Sequence, residues 1–184
     1  ALSSAASDVY KRQRGTCVLF GDGAGAAYLE ESDKGIISVV QGSIGKKGMV
    51  LNCESRRTHN IFTEAGIEHD YLHMDGQEVY KFAVRQCPKC LLEALEKADM
   101  TADDIDYFVL HQANVRIIES VAKRLKAPIE KFPMTLGYTG NMSAASVPVM
   151  LDSLVRDGGL KRGDKVAMSA FGAGLTYGAI VLEW

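Results

Sequence analysis

His111 is the first side chain in this sequence that asks for a chemical explanation. It closes the apolar run "YFVL", Tyr107 to Leu110, and is followed by the small polar cluster Gln112, Ala113 and Asn114. An imidazole at the end of a core strand, just before a helix start, lies where ligand crevices open in layered α/β sheets. A packed histidine satisfied by backbone groups is the competing reading, and position alone leaves the two even. Two other turns occupy comparable places. In "GYTGNMSAAS" Asn141 sits on a glycine turn between a strand and a helix, and Ser143, Ala144, Ala145 and Ser146 are small enough for close approach. In "FGAGLT" the glycines after Phe171 leave backbone N–H groups free to face a ligand. An imidazole, a carboxamide and backbone N–H donors, brought to one pocket by three strand ends, suit an oxyanion developing on a thioester or acyl carbonyl.

Other constellations carry less. Cys87 and Cys90 form C-x-x-C, the spacing of a redox dithiol or half a zinc site. No second such pair exists, and both thiols fall on an apolar helical stripe, where cysteine behaves as a small hydrophobe. His59, His69 and His73 with Cys53 include one H-x-x-x-H spacing, but "EHDYLHMDG" has no helical stripe and closes no ligand set, so solvated or packed histidines are expected and no metal. Gly21, Gly23 and Gly25 do not follow the G-x-G-x-x-G spacing that opens a dinucleotide-binding helix, which leaves a structural role for them.

The elements that must position His111 and Asn141 are legible as periodicity. Thr16 to Phe20 and Ala26 to Glu30 read as two strands joined by the glycine turn, and "GIISVVQGS" as a third, rich in β-branched residues. Gly42 to about Gly66 reads as a long surface excursion. From Gly76 a helix is expected, with Val79, Ala83, Cys87, Cys90, Leu91, Ala94, Leu95 and Ala98 on one stripe. Asp75 should cap it, and Pro88 should kink or break it. "IDYFVL" is a strand and "NVRIIESVAKRLKA" a helix with Ile118, Val121, Ala122 and Leu125 inward and Arg116 and Lys123 on another face. "KFPMTLGYTGN" reads as a short strand and turn. "SAASVPVMLDSLVRDG" reads as a helix opened by a serine cap, with Pro148 in its first turn. "KVAMSAF" and "LTYGAIVLEW" are adjacent strands. The alternation predicts a layered α/β domain with a mixed sheet.

The bulk composition agrees. In 184 residues, 47% are apolar, and 21 Lys and Arg nearly balance 23 Asp and Glu, so neither nucleic acid nor disorder is indicated. The apolar stretches fall short of the roughly 20 residues that cross a bilayer. Four scattered cysteines make no disulfide framework, which fits a reducing, cytosolic setting and free thiols. Residues 1–13, "ALSSAASDVYKRQ", lack the periodicity of the rest and read as a non-native scar.

Taken in order and at these separations, "FGDGAGA", "MDGQEVYKFAV", "HQANVRI", "GNMSAAS" and "FGAGLTYG" resemble the C-terminal part of the 3-oxoacyl-[acyl-carrier-protein] synthase III family. The resemblance covers Arg14 to Trp184. It implies a thiolase-like layered α/β fold, a mixed sheet with helices, present as the C-terminal half only: residues 14–34 as the last strands of a missing N-terminal half and 35–184 as the C-terminal condensing-enzyme domain. The implied reaction is decarboxylating condensation of a short acyl-CoA with malonyl-[acyl-carrier-protein], which starts fatty-acid synthesis in the cytoplasm. Acyl-CoA enters as substrate, without cofactor or metal, and the parent enzyme is a homodimer with neither nucleic acid nor membrane as partner. His111 and Asn141 match the family's catalytic pair, and Ala173 the residue whose N–H completes a second oxyanion hole beside Phe171. Arg14 and Gly15 match the adenine edge of the CoA site, and Gly76, Tyr80 and Asn114 its pantetheine tunnel. Lys81, Arg116 and Lys123 match the cationic patch for the acidic carrier, with Gln112, Ala113, Asn114, Val115 and Arg116 as the carrier-binding stretch.

Met142 stands where threonine is usual and Tyr177 where tryptophan is common. None of Cys17, Cys53, Cys87 and Cys90 sits in the context of the family's nucleophile, so the chain is expected to be inactive alone. A related ketosynthase of polyketide or ketoacyl-CoA synthesis, and a non-catalytic carrier-binding module, are the alternatives.

Overall fold

The structure, a computed structural model, describes residues 18–53 and 72–184 and the backbone of residues 2–4. Its centre is a four-stranded mixed sheet in the order β3-β8-β7-β6. Strand β3 is Ile36–Ser43, β6 Tyr107–Leu110, β7 Lys165–Gly172 and β8 Thr176–Glu183. The hairpin β7/β8 and the pair β3/β8 are antiparallel, while β6 joins β7 in parallel. Two short antiparallel pairs lie outside this sheet: β1 (Leu2–Ser4) with β2 (Ala24–Ala26), and β4 (Leu51–Asn52) with β5 (His73–Met74).

Alternation along β6 divides the core. Phe108 and Leu110 point to one face, where helices α1 (Gly76–Lys97) and α2 (Val115–Leu125) pack, and Val109 points to the other, where it meets Met150, Leu160 and Val166. Met150 belongs to helix α4 (Ser146–Arg156). The layers are helices, sheet and helix, each side burying the period that its elements show in sequence.

Helix α1 begins as expected, with the Asp75 carboxylate accepting from the N–H groups of Gln77 and Glu78 at 3.1 Å each. Pro88 does not break it. Proline removes the N–H that would reach the Val84 carbonyl one turn back, at a cost of roughly 3 kcal/mol in a helix interior. Arg124 of α2 supplies the missing donor, its guanidinium bonding the Val84 carbonyl at 3.3 Å. Buried Phe82 and Ala83 before the proline and Leu91, Ala94 and Leu95 after it hold both halves against the sheet.

Three expected elements come out differently. The glycine-rich stretch is not a hairpin of Thr16 to Phe20 with Ala26 to Glu30. Thr16 and Cys17 lie outside the described residues, Phe20 bridges in parallel to Asn141, and residues 27–30 form no strand. "KFPMTLGYTGN" contains no strand: a 3-10 turn at Ile129–Lys131 leads to the short helix α3, Leu136–Thr139. The reason is that Gln112 acts as a substitute strand neighbour, its side-chain amide donating to the Pro133 carbonyl and its oxygen accepting from the Thr135 N–H. Phe132 completes this anchor by stacking on Phe108 with centroids 4.7 Å apart. Finally, no serine side chain caps α4, although Pro148 does fall in its first turn. The Ser146 hydroxyl is turned elsewhere.

Only part of the second sheet face is covered by α4. Ile37 and Val39 of β3 are 43% and 48% exposed. With Met168, Ala170 and Ile180 below and Pro148 and Leu151 to the side, Val39 lines an open apolar groove of about 640 Å³.

Candidate active site

Strand β6 carries its pairing one residue past Leu110, because the His111 N–H bonds the Ser169 carbonyl of β7 at 2.9 Å. The backbone of His111 is thereby fixed to the sheet. Its ring meets Phe171 edge-on at 5.2 Å and 69°, and Nδ1 lies 2.6 Å from the Ser146 hydroxyl. Burial pushes its pKa down to about 4, so the imidazole is neutral at neutral pH. Among the described residues Nε2 has no protein partner.

Asn141 is held from the far end of the chain. Its N–H donates to the Leu19 carbonyl and its carbonyl accepts from the Gly21 N–H, both at 3.0 Å. Such an approach excludes a side chain: a Cβ on Gly21 would stand 1.9 Å from the Thr139 carbonyl oxygen. Gly23 and Gly25 admit the side chains of Met142 and Pro148 in the same way. The glycines are there for close approach, Gly21 to a neighbouring backbone and Gly23 and Gly25 to the side chains of Met142 and Pro148. The Asn141 side-chain oxygen accepts from the Ser143 N–H at 2.8 Å. That bond assigns the amide orientation and leaves Nδ2 with its hydrogens for a ligand.

Both groups open into one cavity of about 360 Å³. Ala173, Phe171 and Gly172 form one wall, and Gly76, Tyr80 and Asn114 lie on the same lining. No hydrogen bond among the described residues occupies the Ala173 N–H. Three polar groups therefore line one cavity: a neutral imidazole, a carboxamide and a residue with an unoccupied backbone N–H. Neutral donors are suited to charge that appears during a reaction, because they add no full charge to the ground state.

The remaining expected positions divide. Arg14 and Gly15 lie outside the described residues, as do Cys17, His59 and His69. Lys81, Arg116 and Lys123 are exposed on α1 and α2, with Lys81 bonded to Glu78 at 2.9 Å. Lys47 pairs with the same carboxylate, and the two ammonium groups, Lys81 first, hold Glu78 down at about 2. Asn114 caps α2 by accepting from the Arg116 N–H, and Val115 is exposed. Gln112 corrects the expected carrier-contact stretch: it is fully buried and bonded to Leu110, Pro133 and Thr135, so it offers no surface to a partner.

Cys87 and Cys90 are buried, as the stripe implied. Burial pushes the Cys87 thiol up to about 12 and raises that of Cys90, which suppresses thiolate chemistry. Cys53 is exposed, and no described cysteine lines the cavity. No group of three metal-ligating side chains occurs among the described residues. Sequence reasoning missed Ser146 and the Leu19–Gly21 clamp. The small-residue run marked the former only as a helix start, and the latter needs knowledge of which segments meet.

A family model described as 3-Oxoacyl-[acyl-carrier-protein (ACP)] synthase III C terminal matches residues 95–184, and one described as 3-Oxoacyl-[acyl-carrier-protein (ACP)] synthase III matches residues 2–48. The beta-ketoacyl-[acyl-carrier-protein] synthase III of Synechococcus sp. (strain WH7803) is 48% identical over 177 residues, 93% of this chain and 52% of that protein. The crystal structure of the Thermus thermophilus synthase III superposes with a TM-score of 0.85 at 39% identity, over 100% of this chain and 58% of that one. The priming beta-ketosynthase of the R1128 polyketide pathway gives 0.78 at 36% identity, over 93% and 52%. The chain spans about half the length of the curated relatives it matches. On both matched regions and on the shared thiolase-like fold, the chain belongs to the 3-oxoacyl-[acyl-carrier-protein] synthase III family.

Proposed function

We propose that this chain supplies the histidine and asparagine side of an acyltransferase that condenses an acyl group with a malonyl unit on acyl carrier protein. The observation that carries the reading is the cavity shared by the neutral His111 ring, the free Asn141 Nδ2 and the Ala173 N–H. The malonyl thioester carbonyl accepts from His111 Nε2–H and Asn141 Nδ2–H. As the bond to the carboxylate breaks and carbon dioxide leaves, its electron pair becomes the enolate, whose negative oxygen those donors stabilise. The enolate carbon then attacks an acyl thioester carried on a cysteine. Ala173 N–H stabilises the tetrahedral oxyanion, and collapse expels the cysteine thiolate and leaves 3-oxoacyl carrier protein.

Acyl-CoA delivers the acyl group along Gly76, Tyr80 and Asn114, with Arg14 and Gly15 at the adenine end. Lys81, Arg116 and Lys123 attract the acidic carrier beside Ala113, Asn114 and Val115. The attacked thioester belongs to a cysteine from outside the described residues of this cavity, in an assembled cytoplasmic homodimer that needs no cofactor. The likeness to a priming ketosynthase favours polyketide initiation as the second reading.

The test supplies the N-terminal half of a curated relative in trans and measures labelled carbon dioxide and 3-oxoacyl carrier protein. Condensation is expected only when both parts are present, and His111→Ala or Asn141→Ala should lower it by at least about 100-fold, the scale of losing one oxyanion donor. Catalytic acylation of a cysteine in this chain alone, or condensation indifferent to His111→Ala, overturns the reading.

A further inference from the structure

The Ser146 hydroxyl has more claims on it than it has hydrogens. It lies 2.6 Å from His111 Nδ1, 2.9 Å from the Ser143 carbonyl, and 3.2 Å from the Gln112 N–H. The amide of Gln112 can only donate, so it fills one acceptor site on the oxygen. One hydrogen then remains for two acceptors. If it went to the Ser143 carbonyl, Nδ1 would have to carry the imidazole proton and Nε2 would be bare. If it goes to Nδ1, the proton of the neutral ring sits on Nε2, facing the cavity.

Three observations favour the second arrangement. The Ser143 carbonyl is already bonded by the backbone N–H of Ser146 and does not need the hydroxyl. The contact to Nδ1, at 2.6 Å, is below the usual span of a bond donated by a ring N–H to oxygen and within that of a bond donated by a hydroxyl. The Gln112 N–H polarises the oxygen it donates to, which strengthens that hydroxyl as a donor. Ser146 itself is fully buried at the start of α4, so no water competes for it.

We infer that Ser146 is a positioning residue that fixes His111 as the Nε2–H tautomer by donating its hydroxyl hydrogen to Nδ1. The functional weight of this rests on the reading of His111 as a donor to a thioester carbonyl, but the tautomer is a property of the chain by itself. A neutral imidazole with a bare Nε2 would repel the developing oxyanion. Ser146 is thus the residue that turns a neutral ring into an oxyanion donor without charging it.

The experiment uses the chain labelled with 15N in its histidine rings. At neutral pH, ring-nitrogen shifts and long-range proton correlations should assign His111 as the Nε2–H tautomer, and a through-bond coupling should connect Nδ1 with a slowly exchanging hydroxyl proton. In Ser146→Ala the ring should lose that coupling and move to a mixture of tautomers; Ser146→Thr, which keeps the hydroxyl, should restore the wild-type pattern. A wild-type ring protonated on Nδ1, or an unchanged tautomer in a folded Ser146→Ala chain, overturns the inference. If Ser146→Ala fails to fold, the wild-type coupling decides alone. An Nε2–H ring together with condensation indifferent to His111→Ala would sink the proposed function and leave the role of Ser146 standing.

Discussion

His111 is neutral because its surroundings are apolar, and that has a measurable acid limit. The folded ring takes a proton only near pH 4, whereas an unfolded one does so near 6.5. Between those values the unfolded chain binds more protons, so stability falls as pH drops through this window. The full difference, ~3 kcal/mol, is reached below pH 4. Urea denaturation across that range should show a steeper loss in the wild type than in His111→Asn; equal slopes would contradict the shift. How the sequence betrayed this site differs from residue to residue. His111 stood out because an imidazole interrupts a core strand, and Asn141 because a carboxamide on a glycine turn has no packing purpose. Ser146 did not stand out, since a small polar residue at a helix start ordinarily signals a cap.

Helices were the legible elements because their stripes are local: α1 and α2 follow spacings of three and four that no distant contact can disguise. The misread elements are those whose partners lie far along the chain. Phe20 and Gly21 pair with Asn141, and the Pro133 segment is satisfied by the Gln112 side chain. That Pro88 leaves the helix unbroken was not legible for the same reason, since the donor replacing its missing N–H comes from α2. Arg124→Ala should therefore destabilise the chain by ~0.5–1 kcal/mol, the net contribution of one solvent-accessible hydrogen bond to the Val84 carbonyl. In a Pro88→Ala background the same change should cost clearly less, because the helix then supplies its own donor. Thermal or urea unfolding of the four chains checks this, and additive effects would show that the Arg124 contact does not stand in for the lost bond.

At the scale of the molecule, the sheet is covered by α1 and α2 on one side and only partly by α4 on the other. A groove of about 640 Å³ with Val39 at its edge is larger than a stray exposed apolar side chain would leave. The isolated chain should self-associate through this face. Replacing Ile37 and Val39 together by lysine should reduce light scattering and concentration-dependent sedimentation while shifting stability by no more than ~0.5 kcal/mol per site, as expected for exposed positions. Unchanged association would place the contact elsewhere, and a large loss of stability would show that the two side chains are already covered.

The grip of Leu19 and Gly21 on Asn141 bears on inheritance. The two family regions matched here, residues 2–48 and 95–184, meet at that grip. A change at Gly21 is therefore a lesion of the asparagine, although Gly21 itself lies in the first region and Asn141 in the second. The two regions cannot drift independently: a recombinant that exchanges one for a relative's copy must carry a glycine that fits the other's backbone, or lose the carboxamide's aim while keeping its residue.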